Sequence, residues 1–122
     1  MNWLEHEYLV PVIIGNGRYA ISAAKTIYRT TRIRPHIFSE SFSVVQGLFG
    51  HCHKVSPMRA ELLIESLASF ADSLEEYCFP VIICGVETEK ILNTYSDIIE
   101  SFYIVKKYDD TNEKGEWAYD EN

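Results

Sequence analysis

The residues best suited to chemistry stand in one stretch, Gly15-Asn16-Gly17-Arg18-Tyr19, directly after an apolar run from Val10 to Ile14. Glycines at 15 and 17 let the backbone turn sharply and let a ligand approach with no Cβ in the way. A helical pattern begins at once and continues to about Thr31. The free N–H groups and the dipole at such a helix start favour an anion, and Arg18 suits a phosphate or a carboxylate. Gly85-Val86-Glu87-Thr88 follows a second apolar run, and Ser39-Glu40-Ser41 follows a third. Ligands of open parallel sheets bind beyond the carboxyl ends of the strands, so these loops together suit a small anionic or amphoteric ligand. A tight turn alone accounts for the two glycines equally well.

Gly15-x-Gly17-x-x-Ala20 also matches the dinucleotide fingerprint formally, and Glu40 could accept a hydrogen bond from a ribose hydroxyl. The match stands alone, with no further glycine-rich nucleotide element after Glu40. His51-Cys52-His53 has the composition of a metal site, but adjacent residues of an extended segment face opposite sides, so only His51 and His53 share one. No other ligand at suitable spacing stands near them in sequence, and no metal site is expected. GxSxG, Walker A and HExxH patterns are all missing, so no catalytic residue is predicted.

The elements that must hold these loops follow from hydrophobic periodicity. Val10 to Ile14 is nearly continuous in apolar residues, as a strand covered on both faces should be. The next segment places Ala20, Ile21, Ala24, Ile27, Tyr28 and Thr31 on one helix side, and its small alanines allow close packing on a sheet. Arg34-Pro35 ends that helix, and His36 to Ser39 reads as a second strand, which completes a βαβ crossover. From Glu40 to Lys54 the pattern weakens to a loop with one helical turn, then a brief extended piece around His53 to Val55. Ser56 and Pro57 have the types of an N-cap and first helical residue. The helix expected from there carries the stripe Leu63, Leu67, Phe70, Ala71, Leu74 and Cys78. Phe79 to Cys84 is a further buried strand, Glu87 to about Tyr95 a short helix, Asp97 the start of a linker, and Phe102 to Val105 a last strand. This alternation predicts an α/β fold, an open and mainly parallel doubly wound sheet of four to five strands with helices on both faces.

A length of 122 residues suits one domain, assigned to residues 1–108, followed by an acidic tail at 109–122. The net charge of −7 argues against a nucleic-acid partner. Arg18, Lys25, Arg29, Arg32 and Arg34 nevertheless lie in a region free of acids; Arg29, Arg32 and Arg34 read most simply as a solvated helix face, whereas Arg18 stands at the glycine corner itself. No apolar run reaches the ~18 residues of a membrane span and no signal-peptide pattern opens the chain, so no membrane association is expected. The cysteines, Cys52, Cys78 and Cys84, are odd in number and lack CxxC spacing, which suits free thiols and a cytoplasmic setting.

Val10-Pro11-Val12-Ile13-Ile14-Gly15, with the helix opening Tyr19-Ala20-Ile21-Ser22-Ala23-Ala24, resembles the start of ATP-grasp carboxylate–amine ligases of the D-aspartate ligase-like branch. Pro80 to Glu89 is similar to that family's third strand and loop, and Ile91 to Tyr108 to the helix and strand that close its N-terminal domain. The resemblance spans Leu9 to Tyr108 and implies a Rossmann-like pre-ATP-grasp domain that binds a small carboxylate or amino-acid substrate. By position, its substrate-facing residues would be Gly15, Asn16, Gly17, Arg18, Tyr19, Gly85, Glu87 and Thr88. ATP and magnesium belong to later domains of that family, so no cofactor is implied for this chain, which is expected to be inactive alone. Its implied partners are ATP-grasp domains or a second copy. The alternative is a small Rossmann-type module that binds NAD or serves a regulatory role.

Overall fold

The computed structural model describes residues 3–108. A 3-10 turn at Trp3–Glu5 precedes β1 (Leu9–Ile14), α1 (Gly17–Thr31), β2 (His36–Ser39), α2 (Val44–Phe49), β3 (His51–Lys54), α3 (Ala60–Asp72), β4 (Phe79–Cys84), α4 (Val86–Thr94), α5 (Ser96–Phe102) and β5 (Ile104–Lys107). The five strands form one all-parallel sheet in the order β3-β2-β1-β4-β5. The chain winds outward from β1 to β3, then returns to the other side of β1 with β4. The point of reversal therefore lies between β1 and β4, in the middle of the sheet.

Strand pleating divides the core in two. Val12, Ile14, Ile82 and Cys84 point to one face, where α3, α4 and α5 cover them with Leu63, Ile64, Leu67, Leu92 and Ile99. Ile13, Ile37 and Ile83 point to the other, where α1 packs through Ala20, Ala23, Ala24 and Ile27. Each central strand thus needs apolar residues at successive positions, because neither face meets water. Three alanines in the α1 interface keep its axis close to the sheet. The helix stops at Arg32, which takes the left-handed conformation (φ 65°) and donates its N–H to the Tyr28 carbonyl.

Several boundaries differ from expectation. Ser56-Pro57 opens a turn rather than a helix: the Ser56 hydroxyl accepts from Met58 N and its carbonyl from Arg59 N. Proline after serine suits a β-turn as well as a helix start, and α3 begins only at Ala60. It ends at Asp72, so Leu74 and Cys78 lie beyond it. α5 occupies the expected linker, with Ile99 buried below it and the Tyr103 hydroxyl donating to the Leu67 carbonyl at 2.6 Å. β5 runs two residues later than expected, through Lys106 and Lys107. β3 spans His51–Lys54, a polar edge strand with none of the apolar signal of the central ones. The acidic tail lies outside the described residues. No helix among the described residues is long and apolar enough to cross a membrane.

Candidate functional site

Because β1 and β4 are hydrogen-bonded neighbours in register from Leu9↔Phe79 to Ile13↔Ile83, the loops after them lie side by side. The corner of Gly15, Asn16, Gly17, Arg18 and Tyr19 and that of Gly85, Glu87 and Thr88 thus both stand at the carboxyl end of the sheet, where its winding reverses, and Tyr19 reaches toward Gly85.

The first turn of α1 is unusual in how it is capped. Asn16 stands at the N-cap position in extended conformation, yet its side chain makes no cap hydrogen bond. Its Oδ1 instead accepts from Ser39 Oγ at 2.9 Å and from Glu40 N at 2.8 Å. Asn16 therefore ties the loop after β1 to the loop after β2 and leaves the first N–H groups of α1 without a side-chain cap, a setting that favours an anion. Arg18 is exposed beside them. Gly17 has φ +53° and nothing lies within 4 Å of where its Cβ would be, so glycine is needed there for conformation and not for space.

Gly15 is needed for space. A Cβ on it would come within 2.6 Å of Tyr19 Cδ2, and one on Gly85 would stand 3.9 Å from Tyr19 Cε1. The Tyr19 ring thus reaches from one corner to the other. Its hydroxyl donates to the Tyr108 carbonyl at 3.0 Å. The Tyr108 side chain is buried and its hydroxyl bonds Ser22 Oγ and Thr26 Oγ1 at 2.8 and 3.0 Å, which pins α1 to the end of β5. Tyr108 N in turn donates to the Cys84 carbonyl.

α4 begins at the neighbouring corner with Gly85 as its N-cap residue and Glu87 and Glu89 in its first turn. Glu89 is half-buried and pairs with Lys107 at 3.5 Å, whereas Glu87 is exposed beside Lys90 at 3.7 Å. The two corners differ in sign: a basic side chain at an open helix start on one side, carboxylates on the other. Below the second corner, burial and the nearby Glu89 push the Cys84 thiol up to about 12, so it stays protonated and unreactive.

Behind the β2 corner, Ser39 and Gln46 are buried polar side chains. Gln46 Nε2 donates to Ser39 Oγ at 3.3 Å, and Ser43 and Gln46 close a reciprocal capping box at the start of α2. The S-x-x-Q spacing carried that signal in the sequence, where the segment reads only as a loop with one turn. His36 carries no such signal in the sequence. It lies on β2 opposite His51, and its Nδ1 is 2.9 Å from His53 Nε2. Burial, with the adjacent His53 and His51, lowers the His36 pKa to about 4, and burial lowers that of His53.

Comparison of the chain with family models, curated proteins and solved structures returns no match.

Proposed function

We propose that this chain is the substrate-side domain of an ATP-grasp-type carboxylate–amine ligase, in which the paired corners hold a small amino acid. The carrying observation is the charge pattern at the reversal point. The α1 start, uncapped and flanked by Arg18, suits a carboxylate. Glu87, exposed in the first turn of α4 in a solvent-facing contact with Lys90, suits an ammonium group at the other corner, whereas Glu89 is already paired with Lys107. An α-amino acid carries both charged groups on one carbon. The position of Tyr19 also favours a small ligand over a dinucleotide, because its ring stands against Gly15 and Gly85, where an extended cofactor would cross. ATP and magnesium would come from ATP-grasp domains on the same or a partner chain. Phe42, Val44, Val45 and Leu48 are exposed beside the β2 loop and fit a surface that such domains cover, with Val44 82% and Leu48 67% exposed.

The second reading, an NAD-binding module, draws on Glu40, whose backbone N–H is fixed by Asn16 at the end of β2, where a ribose-binding acid would stand. A thermal-shift panel with amino acids, ATP·Mg, NAD and NADP separates the two. A ligand at about 100 times its Kd stabilises the fold by roughly 2.7 kcal/mol. An amino-acid response that disappears in Arg18→Ala, with silence from the nucleotides, is the expected result. A response to NAD or NADP would replace the ligase reading with the dinucleotide one.

A further inference from the structure

We propose that His36 and His53 form a two-histidine clamp for a divalent transition-metal ion with affinity for imidazole, such as Zn2+ or Ni2+, at the open edge of the sheet. The site lies away from the β1–β4 corners and does not depend on the ligand bound there.

The chain has four histidines, and three of them, His36, His51 and His53, gather on one face of the β2–β3 pair. Residues two apart on a strand share a side, so His51 and His53 both face the side on which His36 lies. The His36 ring lies 5.0 Å from that of His51 and 5.2 Å from that of His53. His36 Nδ1 and His53 Nε2 approach to 2.9 Å, and one proton between them satisfies both. A metal ion can take the place of that hydrogen bond once the donor ring carries its proton on its other nitrogen, which leaves a lone pair on each facing nitrogen. Two nitrogens bound at about 2.1 Å to a tetrahedral ion stand about 3.4 Å apart, so the pair has to open by only about half an ångström.

The surroundings hold the second ring in place while leaving room for the ion's other positions. His53 stacks on Phe38 at 4.5 Å and 10°, and Phe70 meets both rings edge-on. His53 also lines a cavity of about 590 Å³ between β3 and α3, which Glu65, Ser66 and Ser69 border from the helix. Among the described residues no group of three ligating side chains converges on one point. The clamp is therefore a bidentate, exchangeable site, completed by water or by a carboxylate reaching in through the cavity. Imidazole nitrogens select zinc, nickel and copper over magnesium and calcium, which prefer oxygen.

The test is calorimetric titration of the chelator-treated full chain with Zn2+ and with Ni2+, with imidazole resonances followed by NMR. The expected result is saturable binding of one ion per chain, weakened roughly tenfold or more in His36→Gln and in His53→Gln and unchanged in His6→Gln and Cys52→Ser. His6 stacks on Phe79 and serves as the histidine control. Should His36→Gln fail to fold, His53→Gln on the edge strand decides, together with selective shifts of the His36 and His53 resonances in the unmodified chain. Lack of saturable binding below about 1 mM overturns the proposal. So does binding that His53→Gln leaves intact, or that Cys52→Ser removes.

Discussion

The starts of α1 and α2 lie at the same end of the sheet and solve the same problem in opposite ways. Both leave backbone N–H groups that need partners. At α2 the protein supplies them itself: Ser43 and Gln46 cap each other's backbone, and Gln46 is buried in doing so. At α1 the residue in the capping position turns away, and Asn16 spends its side-chain oxygen on the β2 loop. A closed helix start is complete without any other molecule. An open one beside an arginine, at the middle of a parallel sheet, is suited to a ligand. The difference lies in where one amide side chain points.

The largest expected effect comes from crowding the open corner. Gly15→Ala sets a Cβ against the Tyr19 ring and should cost about 2 kcal/mol in urea denaturation, as overpacking typically does. A cost below about 0.5 kcal/mol would mean that the ring moves freely and that the corner is looser than described. Next comes the closed start. Ser43→Ala should cost about 1 kcal/mol and leave amino-acid binding unchanged, because the capping box is structural. Arg18→Ala should show the converse, a stability change within about 0.5 kcal/mol and a loss of the amino-acid thermal shift. If both substitutions alter stability and binding alike, the contrast between the two helix starts fails. The smallest effect is a rate under native conditions. Cys84, buried and held protonated, should label with a thiol reagent only as fast as the β4 corner opens, well behind Cys52 and Cys78, which are half-buried. Labelling of Cys84 as fast as Cys78 would show that this corner is not packed as described.

Central features were legible in the sequence because they are locally determined. Val10 to Ile14 and Phe79 to Cys84 are apolar at successive positions, since each is covered on both faces, and the five-stranded parallel sheet follows that reading. The glycine corners were legible too, since Gly15 and Gly17 bracket the junction between β1 and α1. Peripheral elements were harder. β3 has no apolar residue except Cys52 because it pairs on one side only, and α5 is too short for seven residues to display a period. Ser56-Pro57 misled because a turn and a helix start share the same residue types. Within the candidate site, the amide of Asn16 could not be assigned to Ser39 and Glu40 from spacing alone, since those partners stand 23 and 24 residues away. His36 and His53 are 17 apart and meet only through strand pairing.

The sheet order carries a consequence for how the chain reaches this fold. β1 pairs with β2 across one helix, but its partner on the other side, β4, is about seventy residues further on. During synthesis β1, β2 and β3 can assemble with α1 while the most apolar strand still shows a bare edge, and only the arrival of β4 covers it. That long-range closure should set the folding rate, and an unpaired central strand is where nascent chains stick to one another. The strand that anchors the candidate site is therefore also the one whose inner edge waits for a partner about seventy residues downstream.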